Sequence, residues 1–225
     1  MVAIVNTLNR SLYTAELEEM FRFRHQVAVV EMGWDLPDAR DGWEEDQFDT
    51  DDATYLLDWD RKGRLSACVR LIPTDKPHLI SEVFADYCDL APCPREADVL
   101  ECSRFLVRRE GATKESFVNA RSRVMVAMHE YALANGFTSI TALTYQKLYE
   151  LAAFLFRTRP LGLARYCKED DDHYIALQKQ VSEEGIAKMC EYLNVPRNVG
   201  RFEVPLATAS TLITAQARRP DAVAA

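Results

Sequence analysis

Seven residues could do chemistry together if a fold gathered them: Arg24, Trp34, Asp46, Asp49, Arg70, Glu101 and Arg104. Carboxylates accept charge-assisted hydrogen bonds from an ammonium, and a cation over an indole face gains about 0.5 to 2 kcal/mol. A carboxylate on a central strand is also a candidate proton acceptor. The same residue types have a blander reading, in which the three arginines and the acids Asp46, Asp49 and Glu101 simply neutralise one another in a partly buried cleft. Other chemistries find less support. His25, His78, His129 and His173 are scattered, and Ser103 has no G-x-S-x-G elbow around it. The six cysteines lack CxxC spacing, which argues against a metal site or a disulfide framework and for free thiols.

The elements that must position these residues follow from hydrophobic periodicity. Residues 2–5 predict a strand, followed by an amphipathic helix through Leu12, Leu17, Met20, Phe21, Arg24 and Val27. From Gly33 to Asp52 the pattern loses its period and collects Pro37, Gly42 and many acids, so Trp34, Asp46 and Asp49 ride on an unusually long loop. Residues 55–59 and 65–71 predict a hairpin turning at Asp60-Arg61-Lys62-Gly63, and residues 99–107 predict the strand that carries Glu101 and Arg104. Residues 113–135 repeat apolar side chains at helical spacing up to Gly136, a suitable helix-ending residue. A strand at 139–143, a helix at 146–157, a strand at 173–177 and a short helix reaching Tyr192 complete a mixed α/β order.

With 225 residues, the chain reads as a single domain over 1–207 and a flexible tail over 208–225, where Ala and Thr dominate around Pro220. The hydrophobic fraction of 48% and charged fraction of 28% are ordinary for a globular protein. No apolar run approaches the ~18 residues of a membrane span, and the first residues lack a signal-peptide pattern, so the cytoplasm is expected. A net charge of −8 argues against bulk binding to nucleic acid. Against that background Arg104, Arg108, Arg109, Lys114, Arg121 and Arg123 make a basic run suited to an anionic partner.

The pieces Arg24-His25-Gln26-Val27, Gly33-Trp34, Glu44-Glu45-Asp46-Gln47-Phe48-Asp49, Arg70-Leu71-Ile72-Pro73-Thr74 and Glu101-Cys102-Ser103-Arg104-Phe105, in this order and spacing, closely resemble the acyl-homoserine-lactone synthase family, the LuxI-type autoinducer synthases. The resemblance covers about residues 10 to 110, with Phe84 where the family places an aromatic residue, and is looser beyond. It implies a relative of the GCN5-type N-acetyltransferase fold: a three-layer α-β-α sandwich whose mixed central sheet splays to admit the pantetheine arm of a thioester. Val107-Arg108-Arg109-Glu110-Gly111-Ala112 partly resembles the acetyltransferase pyrophosphate loop, which would put Arg108, Arg109 and Gly111 at the phosphopantetheine or coenzyme A of the donor.

The family's reaction joins an acyl thioester to the amine of S-adenosylmethionine and closes a lactone, releasing methylthioadenosine. By resemblance, Arg24, Asp46, Asp49, Arg70, Glu101 and Arg104 are its charged cluster, and Trp34, Phe84, Asp46 and Arg104 meet S-adenosylmethionine. Glu101 is the expected proton acceptor, directly or through an ordered water. Lactone closure needs little beyond orientation, and neither metal nor cofactor is implied, because S-adenosylmethionine and the acyl-CoA or acyl carrier protein are substrates. Ala28 stands where the family usually carries an aromatic residue, which implies a reshaped acyl pocket; Thr141 and Thr144 are further candidates there. The donor type, the acyl chain and the oligomeric state are left open. The competing expectations are a GCN5-like N-acyltransferase acting on another amine, against which Trp34, Asp46 and Asp49 argue, and a non-catalytic thioester-binding regulator.

Overall fold

The computed structural model describes residues 1–168 and 171–205. Among these residues nine strands join in one mixed sheet. Strands β1 (Val2–Val5), β2 (Thr54–Trp59), β3 (Leu65–Pro73) and β4 (Val99–Val107) pair antiparallel in turn, and β4 then lies parallel to β5 (Ser139–Tyr145). Beyond β5 come β8 (Asp172–Gln180), paired with both β6 (Thr158–Pro160) and β7 (Arg165–Cys167), while β9 (Gly200–Arg201) runs parallel to β1 on the other edge.

Alternating side chains send each strand into two cores. On one face Val2, Ile4, Leu56, Val69, Leu71, Leu100 and Ile140 pack under α3 (Lys114–Ala134), α4 (Tyr149–Leu155) and α5 (Glu183–Leu193), through Val124, Met128, Leu155, Ile186 and Met189 among others. On the other, Ala3, Val5, Tyr55, Leu57, Cys68, Ile72 and Leu106 meet Met20 and Phe23 of α1 (Thr14–Arg24) and Val27 and Ala28 just beyond it. The short α2 (Leu79–Glu82) lies between β3 and β4 in sequence. Among the described residues no helix is long and apolar enough to cross a membrane.

Two irregularities in the sheet shape its centre. First, β4 pairs with β5 only from Val99↔Ser139 to Glu101↔Thr141, whereas β5 stays paired with β8 as far as Tyr145↔Tyr174. The two central strands therefore part after Glu101, and the expected splay is present. Second, the β3–β4 register slips between Cys68↔Leu106 and Arg70↔Ser103, with Arg104 at φ +50. This is a β-bulge, an extra residue inserted on one strand only.

The hairpin turns at Asp60–Gly63 as expected, with Gly63 at φ +74, and α3 ends before Gly136 at φ +78. Residues 33–52 contain no helix or strand, only an isolated bridge between Arg40 and Trp43. The first helix differs from its expected form: a 3-10 turn at Arg10–Leu12 precedes α1, and π-helix runs over His25–Glu31. Wide loops such as Met32 N–H to Val27 O and Trp34 N–H to Ala28 O add residues per turn and rotate the chain beyond them, which a periodicity of 3.6 cannot foresee. Residues 146–157 also divide, into a 3-10 turn and α4, which ends at Leu155 ahead of β6. The short β6, β7 and β9 carry too few residues for a period to register. The tail expected over 208–225 lies outside the described residues.

Candidate active site

Six charged side chains interlock where α1, the long loop, β3 and β4 meet. Arg24, at the end of α1, is 0% exposed; its Nη1 and Nη2 donate to the two Asp49 oxygens at 2.7 and 2.9 Å, and its Nε donates to Glu44. Arg70 on β3, also 0% exposed, grips Asp46 through both Nη atoms, approaches Asp49 at 3.0 Å and donates from Nε to Ser103 Oγ at 3.2 Å. Arg104 on β4 donates to Glu44 at 3.0 Å and to Asp46 at 2.7 Å. Forked guanidinium–carboxylate pairs of this kind fix orientation as well as charge.

The bulge at Arg104 explains how one strand feeds this cluster twice. In a regular strand Ser103 and Arg104 would face opposite ways; the left-handed residue resets the alternation, so both reach the Arg70–Asp46 corner while Phe105 packs into the opposite core. The loop supplies its acids through its own turns: the Asp46 N–H donates to Asp49 at 2.8 Å, and the Phe48 N–H to Asp46 at 2.9 Å. Phe48 is buried beneath the Arg70 guanidinium.

Burial alone would raise the Asp49 carboxyl, but the charges of Arg24 and Arg70 outweigh it and hold the group far below the usual carboxylate range. Glu44 behaves alike: burial raises it, and Arg24 followed by Arg104 brings it below its ordinary value. The Tyr55 hydroxyl donates to Asp49 at 2.9 Å and, through burial and that anion, is pushed well above its ordinary value. Glu44 and Asp49 are thus held as carboxylates by the guanidiniums that grip them.

Glu101 stands apart from this network. It is 0% exposed on β4 at the point where β5 departs, and its carboxylate accepts the Leu79 N–H at 3.1 Å and the Ile80 N–H at 2.6 Å, the first amides of α2. The third acid that pairs with the arginines is instead Glu44, which belongs to the Glu44–Asp49 motif but has no place among the site residues expected from sequence. Charge counting narrows the choice once Glu101 is engaged by backbone amides: three arginines meeting Asp46 and Asp49 leave a positive charge in a buried place, which is costly, and Glu44 and Glu45 are the acids that the motif still offers. Tyr55 and Ser103 gave no comparable signal.

The other expected residues occupy varied settings. Trp34 is half-buried against the core beside α1, fixed by its N–H to Ala28 O. Ala28 is 0% exposed inside the π-helical segment. Phe84 follows α2 and stacks edge-on with Tyr87. Arg108 is committed to Leu65 O at 2.9 Å and lies over Phe23, Arg109 offers its N–H to Glu31, and Gly111 turns at φ +65 ahead of α3, whose start is capped by Thr113. Arg108 and Phe23 also line a 360 Å³ cleft with Glu19, Arg22, His25, Gln26 and Gly42. Thr141 donates to Leu177 O at 2.9 Å, so it offers a neighbour a lone pair rather than a proton; Thr144 lies on the half of β5 that has left β4. A larger cleft of 600 Å³ sits at the closed end of the β4–β5 pair, around Asp98, Ser139, Arg159 and Gln178, away from the charged cluster.

Comparison with known proteins places this geometry in a family. The autoinducer synthase family model matches residues 9–154. An isovaleryl-homoserine lactone synthase of Bradyrhizobium diazoefficiens is 34% identical over 169 residues, covering 72% of this chain and 73% of the relative. The structure of the CoA-dependent acyl-homoserine lactone synthase BjaI with S-adenosylmethionine and isopentyl-CoA superposes with a TM-score of 0.78 at 26% identity, over 95% of this chain and 99% of that one. A second CoA-dependent synthase, MesI, gives the same TM-score at 29% identity, over 89% and 98% of the two chains. The open mixed sheet, the splay after Glu101 and the order of the charged motifs thus agree with the similarity in sequence, and the chain belongs to the autoinducer synthase family, a family of acyltransferases.

Proposed function

We propose that this protein is an acyl-homoserine-lactone synthase that takes an acyl group from acyl-CoA, joins it to the amine of S-adenosylmethionine and releases methylthioadenosine as the lactone closes. The observation that carries the reading is the buried Arg24–Arg70–Arg104 network with Glu44, Asp46 and Asp49, set beside the gap between β4 and β5. The gap leaves β4 beyond Glu101 without a strand partner on that side, so a pantetheine arm with its own amides can take the open edge. Coenzyme A as the donor's carrier is favoured by the likeness to BjaI and MesI, both CoA-dependent.

Each role in this reading follows from charge and placement. Asp46 and Arg104 are the members of the cluster with residual exposure, 10% and 8% of their side chains, so they are the ones that present charge to an amine and a carboxylate. Arg24, Arg70, Glu44 and Asp49 hold them in place. Trp34 and Phe84 supply aromatic faces for a sulfonium. Glu101 accepts the amine proton, directly or through a water, at the point where the donor's thioester would lie; the α2 amides keep its carboxylate oriented. The sulfonium is its own leaving group, so lactone closure asks only that the methionyl carboxylate be held against the neighbouring carbon, a positional effect worth roughly 7 to 11 kcal/mol in well-oriented systems.

The test is to incubate purified protein with S-adenosylmethionine and a panel of straight, branched and aromatic acyl-CoA and acyl-carrier-protein thioesters, following products by mass spectrometry. Acyl-homoserine lactone together with methylthioadenosine supports the reading and identifies the donor. Free thiol without methylthioadenosine would replace it with an N-acyltransferase acting on another amine.

A further inference from the structure

On the α3 side of the sheet, one buried polar atom is left unpaired. His129 of α3 is 0% exposed, and its ring stacks on Phe156 with centroids 4.5 Å apart and planes 8° apart. Nδ1 lies 2.7 Å from Met125 O, and a carbonyl can only accept, so Nδ1 carries the hydrogen and Nε2 keeps a lone pair. That Nε2 has no hydrogen-bond partner among the described residues. Burial, and then the Lys179 charge, hold the imidazole well below its ordinary value, so it stays neutral. Lys179, on β8, places its Nζ 5.8 Å from the centre of the same Phe156 ring. Phe156 is itself wedged in place: it is buried, and a Cβ at Gly185 of α5 would collide with it. An acceptor and a cation thus border one ring in an apolar core, and the acceptor is costly there until a donor reaches it.

The gap in the sheet opens on the same side. Past Glu101, β4 turns Ser103 and Arg104 to the charged cluster, whereas Cys102 and Phe105 pack toward α3 and are only half-buried. Across the gap Ile140 points into the α3 core, so by alternation Ala142 and Thr144 share its face, and both are half-buried as well. Met125, also half-buried, stands one helical turn from His129. An apolar chain attached at the thioester leaves the charged side and finds these residues, with His129 beyond them. Ala28 packs on the α1 side, so it bears on the part of the chain next to the thioester rather than on its far end.

We propose that His129 and Lys179 select the acyl group, whose far end carries a hydroxyl that donates to His129 Nε2 and turns its oxygen toward the Lys179 charge. A methyl end leaves Nε2 unpaired, and a carboxylate end sets its own lone pairs against it. A site that pairs a hydroxyl rejects the analogue lacking it far more strongly than an apolar pocket rejects one methylene. The inference rests on the synthase reading for the entry of the chain between β4 and β5.

Two matched pairs of thioesters test it: para-hydroxycinnamoyl-CoA with cinnamoyl-CoA, and omega-hydroxyoctanoyl-CoA with octanoyl-CoA. Binding is measured by calorimetry with methylthioadenosine present, which lacks the reacting amine, and lactone formation is measured with S-adenosylmethionine. In the full wild-type chain the hydroxyl member of at least one pair should bind and react roughly tenfold better or more. The cinnamoyl pair carrying the preference places the hydroxyl on a ring, and the octanoyl pair places it on a straight chain. His129→Phe, whose ring keeps the stack on Phe156 without Nε2, should bring the ratio close to one, and Lys179→Met should lower it. A wild-type ratio near one in both pairs, or a ratio that both variants leave intact, would overturn the assignment even where lactone forms. A hydroxyl preference in binding with no lactone from any thioester would keep the pocket and overturn the proposed reaction instead; no binding of any thioester would overturn both.

Discussion

Ser103 and Arg104, neighbours on β4, turn their side chains to the same corner of the sheet, where one meets Arg70 and the other Asp46. The left-handed backbone at Arg104 makes this possible and carries a strain of about 1 kcal/mol or more for a residue with a Cβ. The strain separates two substitutions that both remove the guanidinium. Arg104→Ala and Arg104→Gly should each lower kcat/KM at least 100-fold, but the glycine protein should be the more stable by about 1 kcal/mol in urea unfolding. Glycine normally weakens a strand, so the reversed order reports the bulge.

Glu44 and Glu45 are adjacent in sequence and opposite in consequence. Glu44 is 1% exposed between Arg24 and Arg104, whereas Glu45 is exposed and accepts the Trp43 indole N–H. Glu44→Gln should cost about 3 to 5 kcal/mol, because two buried guanidiniums lose a shared counter-charge, while Glu45→Gln should stay within about 0.5 kcal/mol. Equal losses in thermal melts of the two variants would contradict the network as described.

The depressed Asp49 and Glu44 carboxyls make stability acid-sensitive in a defined direction. Their folded values lie below those of the unfolded chain, near 4, so the stabilisation they carry is complete above about pH 5 and drains away as pH falls toward the folded values. Urea midpoints should be flat in this respect from pH 7 down to about 5 and then decline. Asp49→Asn should be less stable at pH 7 and should show a shallower decline below pH 4.

Replacing Glu101 by Gln removes a proton acceptor while nearly preserving shape. Turnover should fall by about 10² to 10⁴. Stability should fall by only about 1 to 2 kcal/mol, since an amide can satisfy one of the Leu79 and Ile80 N–H groups but not both. Binding of S-adenosylmethionine, measured by calorimetry, should change little; a protein that only bound thioesters would lose nothing measurable.

Ala28 is 0% exposed, so a larger side chain has nowhere to go without moving neighbours such as Phe23 and Val27. Ala28→Phe should destabilise the protein by about 1 to 3 kcal/mol and shift the preferred acyl group toward smaller chains. A thermal melt and the acyl-CoA panel read the two effects separately, and an unchanged acyl preference would remove Ala28 from the pocket.

How far the sequence could be read depended on the scale of the signal. The long apolar repeat of α3, the hairpin around Gly63 and the central strands announce themselves because burial imposes a period over many residues. The π-helical segment at His25–Glu31 and the bulge at Arg104 are departures from period, set by tertiary contacts, and leave no local trace. Within the cluster, Arg24, Asp46, Asp49, Arg70 and Arg104 were legible through motif order. Glu101 was expected to join them but stands apart: its partners are backbone amides of α2 rather than arginines, and backbone donors are invisible in a string of side chains. Glu44 lay hidden beside a more conspicuous neighbour.

The loop over residues 33–52 has no ladder or helix to hold it, and its position is set by arginines that belong to α1, β3 and β4. Its order is therefore conditional on assembly elsewhere: the helix must be docked and two strands registered before the acids have anything to grasp. That makes the charged cluster a late product of folding, formed after the longest-range contacts are in place. It also defines how the protein fails. When one acid is lost, the expected damage is detachment of a whole segment from an otherwise intact sheet, an opening of the local kind that hydrogen exchange would register across the loop before the strands begin to exchange.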